Sequence, residues 1–253
     1  MVVPDHMTML GQRKEANKMS RRQFLPAVLL ALAVTIATPA LAAKPPTTWD
    51  GLVQIKSKRF DLVYLAPGAT FGGYTKVMLA PTEVTFHKNW RRDYNSQGVG
   101  ASRDVSEKDV QKAITEGVAA AEDIFREEFT KGGYPVVPEP GSDVLLLRTG
   151  VLNISVSAPD TFEAGRTYTF ANDAGDATYF VEVRDSLTGA LLGRAIDRRL
   201  AGDNTIGQRN RATNRSDFRR LVKRWAELSI RGLNELKARA PIDDAGRSAG
   251  TAP

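Results

Sequence analysis

The chain has 253 residues, 42% hydrophobic and 25% charged, an ordinary globular composition with room for one sizeable core. Its formal charge is +6, but the first 42 residues hold five of the 35 basic and two of the 29 acidic side chains, so the remainder stands at +3, too little to imply a nucleic-acid partner. With no cysteine, the chain excludes disulfides, thiolate metal sites, thiol nucleophiles and a lipid anchor at cysteine.

Residues 1–42 read as an export signal. A basic region ends in Arg21 and Arg22, an uncharged run follows over residues 23–43, and Ala40-Leu41-Ala42 forms a small-x-small site with cleavage expected after Ala42. Ser20, Arg21, Arg22, Phe24 and Leu25 match the twin-arginine pattern, with Pro26 where that pattern usually has Lys. Export by the twin-arginine or general secretion machinery would place the chain in the periplasm or outside the cell. The uncharged run is also just long enough to act as an uncleaved anchor, which would leave the protein membrane-associated.

Residues 43–59 are expected to be a linker, Pro-rich at KPPTT, and an N-terminal segment in which Trp49 and Leu52 begin packed structure. A single domain is expected over residues 60–240. Residues 60–65 suit a short strand before the Pro67-Gly68 turn, and residues 74–86 read as the first long strand. Pro81 removes one ladder donor there and so marks a bulge or an edge position. The motifs YLAPGA at 64–69 and YTKVMLAPTEV at 74–84, with Trp90, resemble the domain-of-unknown-function 3313 family of bacterial envelope proteins over most of residues 49–237. The resemblance implies an envelope location and brings no assigned activity. Many members look like lipoproteins anchored through a cysteine; this chain has none, which implies a soluble exported form.

Residues 91–103 are polar and read as an exposed loop. Ser106 then caps a helix, with Glu107 and Asp109 at the positive end of its dipole and Val110, Ile114, Val118, Ala121, Phe125 and Phe129 as its buried stripe. Lys131-Gly132-Gly133 ends that helix, and Gly117 marks close packing on the sheet. Residues 144–156 form one long strand bent by a bulge, or two short ones; residues 177–184 and 191–196 form a hairpin across DSLTG. Residues 201–214 read as a mobile loop, and Ser216-Asp217 cap a last helix with Phe218, Leu221, Val222, Trp225, Leu228, Gly232 and Leu236 inward. Residues 241–253 read as a disordered tail. The order predicts an α/β (α+β) two-layer sandwich, a mixed sheet of about four to five strands with two long helices on one face, the first helix being a crossover.

No catalytic constellation stands out. His87 is the only histidine beyond the signal, and no Gly-x-Ser-x-Gly segment supplies a nucleophile. Asn172, Asp173 and Asp176 lack the alternation and terminal Glu of a calcium loop. Gly68, Gly72 and Gly73 precede a strand and lack the Gly-Lys-Ser/Thr of a phosphate loop. No metal, no cofactor and no enzymatic activity are therefore expected; an enzyme of unrecognised type would draw on Glu83, Asp173 or Glu182 with arginines. Charge is unevenly spread: residues 104–143 hold ten acidic and four basic side chains, residues 194–239 thirteen basic and five acidic. Arg198, Arg199, Arg209, Arg211, Arg215, Arg219 and Arg220 gather around one loop and helix start, and guanidinium forks grip carboxylate and phosphate bidentately. The expected function is a binding or assembly module whose Arg-rich surface takes an envelope protein, a cell-wall polymer or an anionic lipid, with oligomeric state open.

Overall fold

The computed structural model describes residues 44–96, 104–156, 169–171, 175–202, 207–209 and 211–248. The signal residues Ser20, Arg21, Arg22, Phe24, Leu25, Ala40 and Ala42, and also Asn172 and Asp173, lie outside the described residues. Those from Pro45 onward gather into one unit.

Its central element is β6 (Val144–Val156), thirteen residues whose apolar side chains recur on the face that becomes the core. β6 pairs in parallel with β4 (Lys76–Leu79) and then β5 (Glu83–Phe86), and antiparallel with β8 (Gly175–Asp185). β8 pairs with β9 (Leu191–Ala201), β9 with β3 (Leu62–Leu65), β3 with β2 (Leu52–Ile55), and β2 with β1 (Thr48–Trp49). The result is a mixed eight-stranded sheet, and a separate two-stranded sheet joins β7 (Thr169–Ala171) to β10 (Gly207–Arg209). The fold is mixed α+β, and eight strands replace the four to five expected. The additional ones are two to four residues long: β1 and β2 pair locally, with each other and with β3, and β4 and β5 divide one expected strand.

The long strand expected at residues 74–86 is broken at Pro81. The ladder runs to the Ala80 amide, which donates to the Leu147 carbonyl at 2.9 Å, and Pro81 has no N–H to continue it. The Thr82 amide turns instead to the Glu122 carboxylate at 3.3 Å, and the Thr82 and Thr149 hydroxyls meet at 2.9 Å. Both expectations at Pro81 hold: β4 and β5 flank the same side of β6 at the sheet margin, and with Leu79 opposite Leu147 and Glu83 opposite Gly150, residues 80–82 stand against 148–149, one residue extra as in a bulge.

Among the described residues, three helices accompany the sheet. α1 (Trp90–Ser96) falls where an exposed loop was expected. Buried Trp90 holds it, its ring tilted against Phe86 with centroids 4.9 Å apart and its indole N–H donating to the Val156 carbonyl at 3.2 Å. α2 (Glu107–Lys131) starts at the expected cap: the Asp109 amide donates to Ser106 Oγ at 3.2 Å and the Ser106 amide to Asp109 Oδ2 at 2.9 Å, a capping box. A methyl group on Gly117 would lie 3.2 Å from Val84 Cγ1, which confirms the close approach of α2 to the sheet. α3 (Arg211–Ala238) begins five residues before the Ser216 expected as its cap; Asp217 is buried within it and takes an ion pair from Arg220.

Both long helices pack on one sheet face, as Tyr179 of β8 shows: its ring lies 5.4 Å from Trp225 of α3 and 5.8 Å from Phe125 of α2. The C-terminal segment is part of the fold through Ser248, contrary to the disordered tail expected from residue 241. Ile242 is buried, its carbonyl accepts the Gly68 amide at 2.9 Å, and Asp243 closes a turn by accepting the Arg247 and Ala245 amides.

Candidate functional site

Strand alternation sends Val63 and Leu65 of β3, Val181 and Val183 of β8, and Ala195 of β9 toward the helices. Opposite them, α3 presents Ser229, Gly232, Leu233 and Leu236. Small residues sit where larger ones would fill the gap, and a cavity of about 500 Å³ remains between sheet and helix, ending against Phe71 and Phe129. Gly232 is the clearest case, since a methyl group there would stand 3.7 Å from the Phe60 ring, an ordinary contact. The two hydroxyls deep in this region satisfy each other: Ser229 Oγ donates to the Trp225 carbonyl at 2.9 Å and lies 3.1 Å from the Tyr179 hydroxyl. Burial pushes the Tyr179 phenol far up, so it stays neutral.

The mouth is formed by residues 56–60, KSKRF, and the last turns of α3. Ser57 Oγ accepts the amides of Arg59 and Phe60 at 3.1 and 3.2 Å, which fixes the loop. Arg59 forks onto Glu235, with Nε donating at 3.0 Å and Nη2 pairing with the other oxygen, and this hydrogen bonding holds the Glu235 carboxyl below its usual range. The Arg239 Nε donates to Ser248 Oγ at 2.8 Å, and the side chains of Lys56 and Lys58 are exposed. Four cations thus face one carboxylate at this rim.

Arg194 also reaches the cavity lining, but its guanidinium belongs to the opposite sheet face. There it donates to Asp50 at 2.6 Å and Glu182 at 2.8 Å and lies 4.3 Å over the Trp49 ring. Burial pushes the Glu182 carboxyl up, but hydrogen bonds from Arg184 and Arg194 outweigh it and hold the group below the usual carboxylate range. Glu83, exposed on β5, is separated from Glu182 by β6 and two residues of register, roughly 12 Å at ordinary strand spacing and rise. His87 is exposed at the exit of β5. These groups do not converge, and no cluster of three His, Asp or Glu suited to a metal occurs among the described residues.

The arginines singled out from the sequence are distributed over three elements. Arg198 pairs with Asp176 at 2.5 Å. Arg199 pairs with buried Asp197, which also accepts the Trp225 indole N–H at 2.8 Å. Arg215 of α3 pairs with Glu116 of α2 at 2.6 Å, and Arg220 with Asp217. Arg209 lies in β10 and Arg211 opens α3, their side chains outside the described set; Arg219 is exposed. Arg215 and Arg219 border a second cleft of about 710 Å³ between the first halves of α2 and α3, where Asp104, Asp109 and Glu116 balance them and Lys112. That rim carries no net charge. The basic cavity mouth, by contrast, was missed in the sequence, where residues 43–59 read as a linker and N-terminal segment; its local signal is the KSKR run at 56–59, three cations in four residues.

No helix among the described residues is long and apolar enough to cross a membrane. No curated protein matches the chain. Among solved structures, the PelC dodecamer from Paraburkholderia phytofirmans is 15% identical, with 70% of this chain and 97% of that chain covered and a TM-score of 0.34. Lipoprotein GNA1162 from Neisseria meningitidis is 13% identical, with 60% and 99% covered and a TM-score of 0.22. The family model described as Protein of unknown function (DUF3313) matches residues 47–229, and the chain belongs to that family.

Proposed function

We propose that this chain is an exported, non-catalytic binding module of the bacterial envelope, with the cavity beneath α3 as its ligand site. The observation that carries the reading is the cleft itself: about 500 Å³, open at the 56–60 mouth and apolar in its depth, falls in the range of small-molecule sites. Its depth is apolar and its hydroxyls are already bonded, so it suits retention of a ligand rather than chemistry on one. Of the carboxylates that an enzyme would draw on, the described Glu83 and Glu182 stand apart, and Glu182 is held ionised by arginines. The Arg-rich surface ranks below the cavity as a binding site, because four of its members already hold carboxylates that an incoming anion would have to displace.

A neutral fluorophore, N-phenyl-1-naphthylamine, tests the site. Its emission is expected to rise on binding the native chain and to stay at background with Gly232→Leu, which fills the cavity while melting cooperatively. Unchanged emission with both, or equal enhancement by both, overturns the reading. Export is supported by the Ser20–Leu25 motif; replacing Arg21 and Arg22 with Lys is expected to retain the protein in the cytoplasm, and undiminished export of that variant would refute the twin-arginine route.

A further inference from the structure

We infer that the cavity under α3 takes a single-chain amphiphile with an anionic head, the chain in the apolar depth and the head at the 56–60 mouth; this rests on the cavity being the ligand site. The depth offers an apolar chain Leu65, Phe71, Phe129, Val181 and Leu233, each at most 5% exposed. A polar ligand would find no unpartnered hydroxyl there, because Ser229 and Tyr179 are bonded to each other and to the Trp225 carbonyl. A volume of about 500 Å³ sits in the lower half of the range for small-molecule sites and suits one chain rather than two.

The mouth selects the head by charge. Arg59 is matched by Glu235, but among the described residues neither Lys56 nor Lys58 makes an ion pair, and Arg239 rests on the neutral Ser248 hydroxyl. One effect opposes an anion: α3 ends at Ala238, and its C-terminal carbonyls carry the equivalent of about half a negative charge. Three cations exceed that half charge, and the dipole's influence fades within the last turn. The same comparison excludes the cleft between α2 and α3, whose rim balances three cations with three carboxylates. Carboxylate and phosphate heads satisfy this rim alike, as both accept from ammonium and guanidinium donors.

Calorimetric titration of the full-length chain with dodecanoate and dodecyl phosphate, each below its micelle concentration, and with dodecanol below its solubility limit, tests the inference. Both anions are expected to bind at least tenfold more tightly than the alcohol, with the gap closing in 1 M NaCl, where the screening length is about 3 Å. The triple variant Lys56→Gln, Lys58→Gln, Arg239→Gln is expected to bring the anions to the level of dodecanol without weakening dodecanol. Tighter binding of dodecyl phosphate assigns a lipid phosphate head and tighter binding of dodecanoate a fatty-acid carboxylate; either outcome supports the inference. Equal binding of dodecanol and dodecanoate by the native chain overturns the anionic head and leaves the cavity as a site. Absence of binding by all three, or binding that Gly232→Leu does not diminish, removes both.

Discussion

At the scale of single residues, two positions make firm demands. Gly175 adopts φ +126°, and a methyl group there would lie 1.8 Å from the Ser155 carbonyl oxygen, so Gly175→Ala must both strain its backbone and push β8 from β6. A loss of about 3 kcal/mol is expected, read as a lowered urea midpoint. Glu182 is the second. Its folded pKa lies below that of the unfolded chain, so the stability it contributes is present at neutral pH and is lost as pH falls from about 4.3 through the folded value. The native protein should therefore destabilise in acid, and Glu182→Gln should flatten that slope while costing about 1.5–3 kcal/mol at pH 7, since buried Arg194 loses a charged acceptor but keeps Asp50. Neither demand was visible in the sequence. Arg194 and Glu182 become partners through the register of β8 and β9, which a count of charges does not specify.

At the scale of elements, legibility followed the range of the signal. α2 was readable to within a residue of each end, because Ser106, Asp109 and the 110–129 stripe are local. α3 began earlier than read: Ser216-Asp217 is a sound cap pattern, but nothing in 211–215 stops a helix, and Asp217 finds a partner in Arg220 from inside it. α1 was hidden because Trp90 holds it from the tertiary side, on Phe86 and Val156. The C-terminal segment was hidden for the same reason, its composition being polar while one residue, Ile242, anchors it. Ile242→Ala is expected to cost about 2–4 kcal/mol and to speed proteolysis after residue 240. Unchanged stability and protease resistance would show that the segment packs only weakly.

At the scale of the whole molecule, the two helices on one sheet face and the helical crossover to a parallel strand followed from element order. The extent of the sheet did not, since β3 meets β9 across more than a hundred residues and β1 and β2 are too short to show periodicity. The cavity belongs to this scale as well: Gly232 looked like one more member of a buried stripe, and only the placement of β3, β8 and β9 beneath it turned a small side chain into space. The break at Pro81 has one more consequence, for association between molecules. β4 and β5 occupy one margin of the sheet, and residues 135–137 cover β4 through Val77. The proline divides that margin into two four-residue pieces, so a strand from another copy meets no long run of unpaired donors and acceptors. Pro81→Val would join them into one edge. The variant should fold yet aggregate faster in a light-scattering time course at micromolar concentration, whereas equal rates would mean that the margin is guarded by something other than the notch.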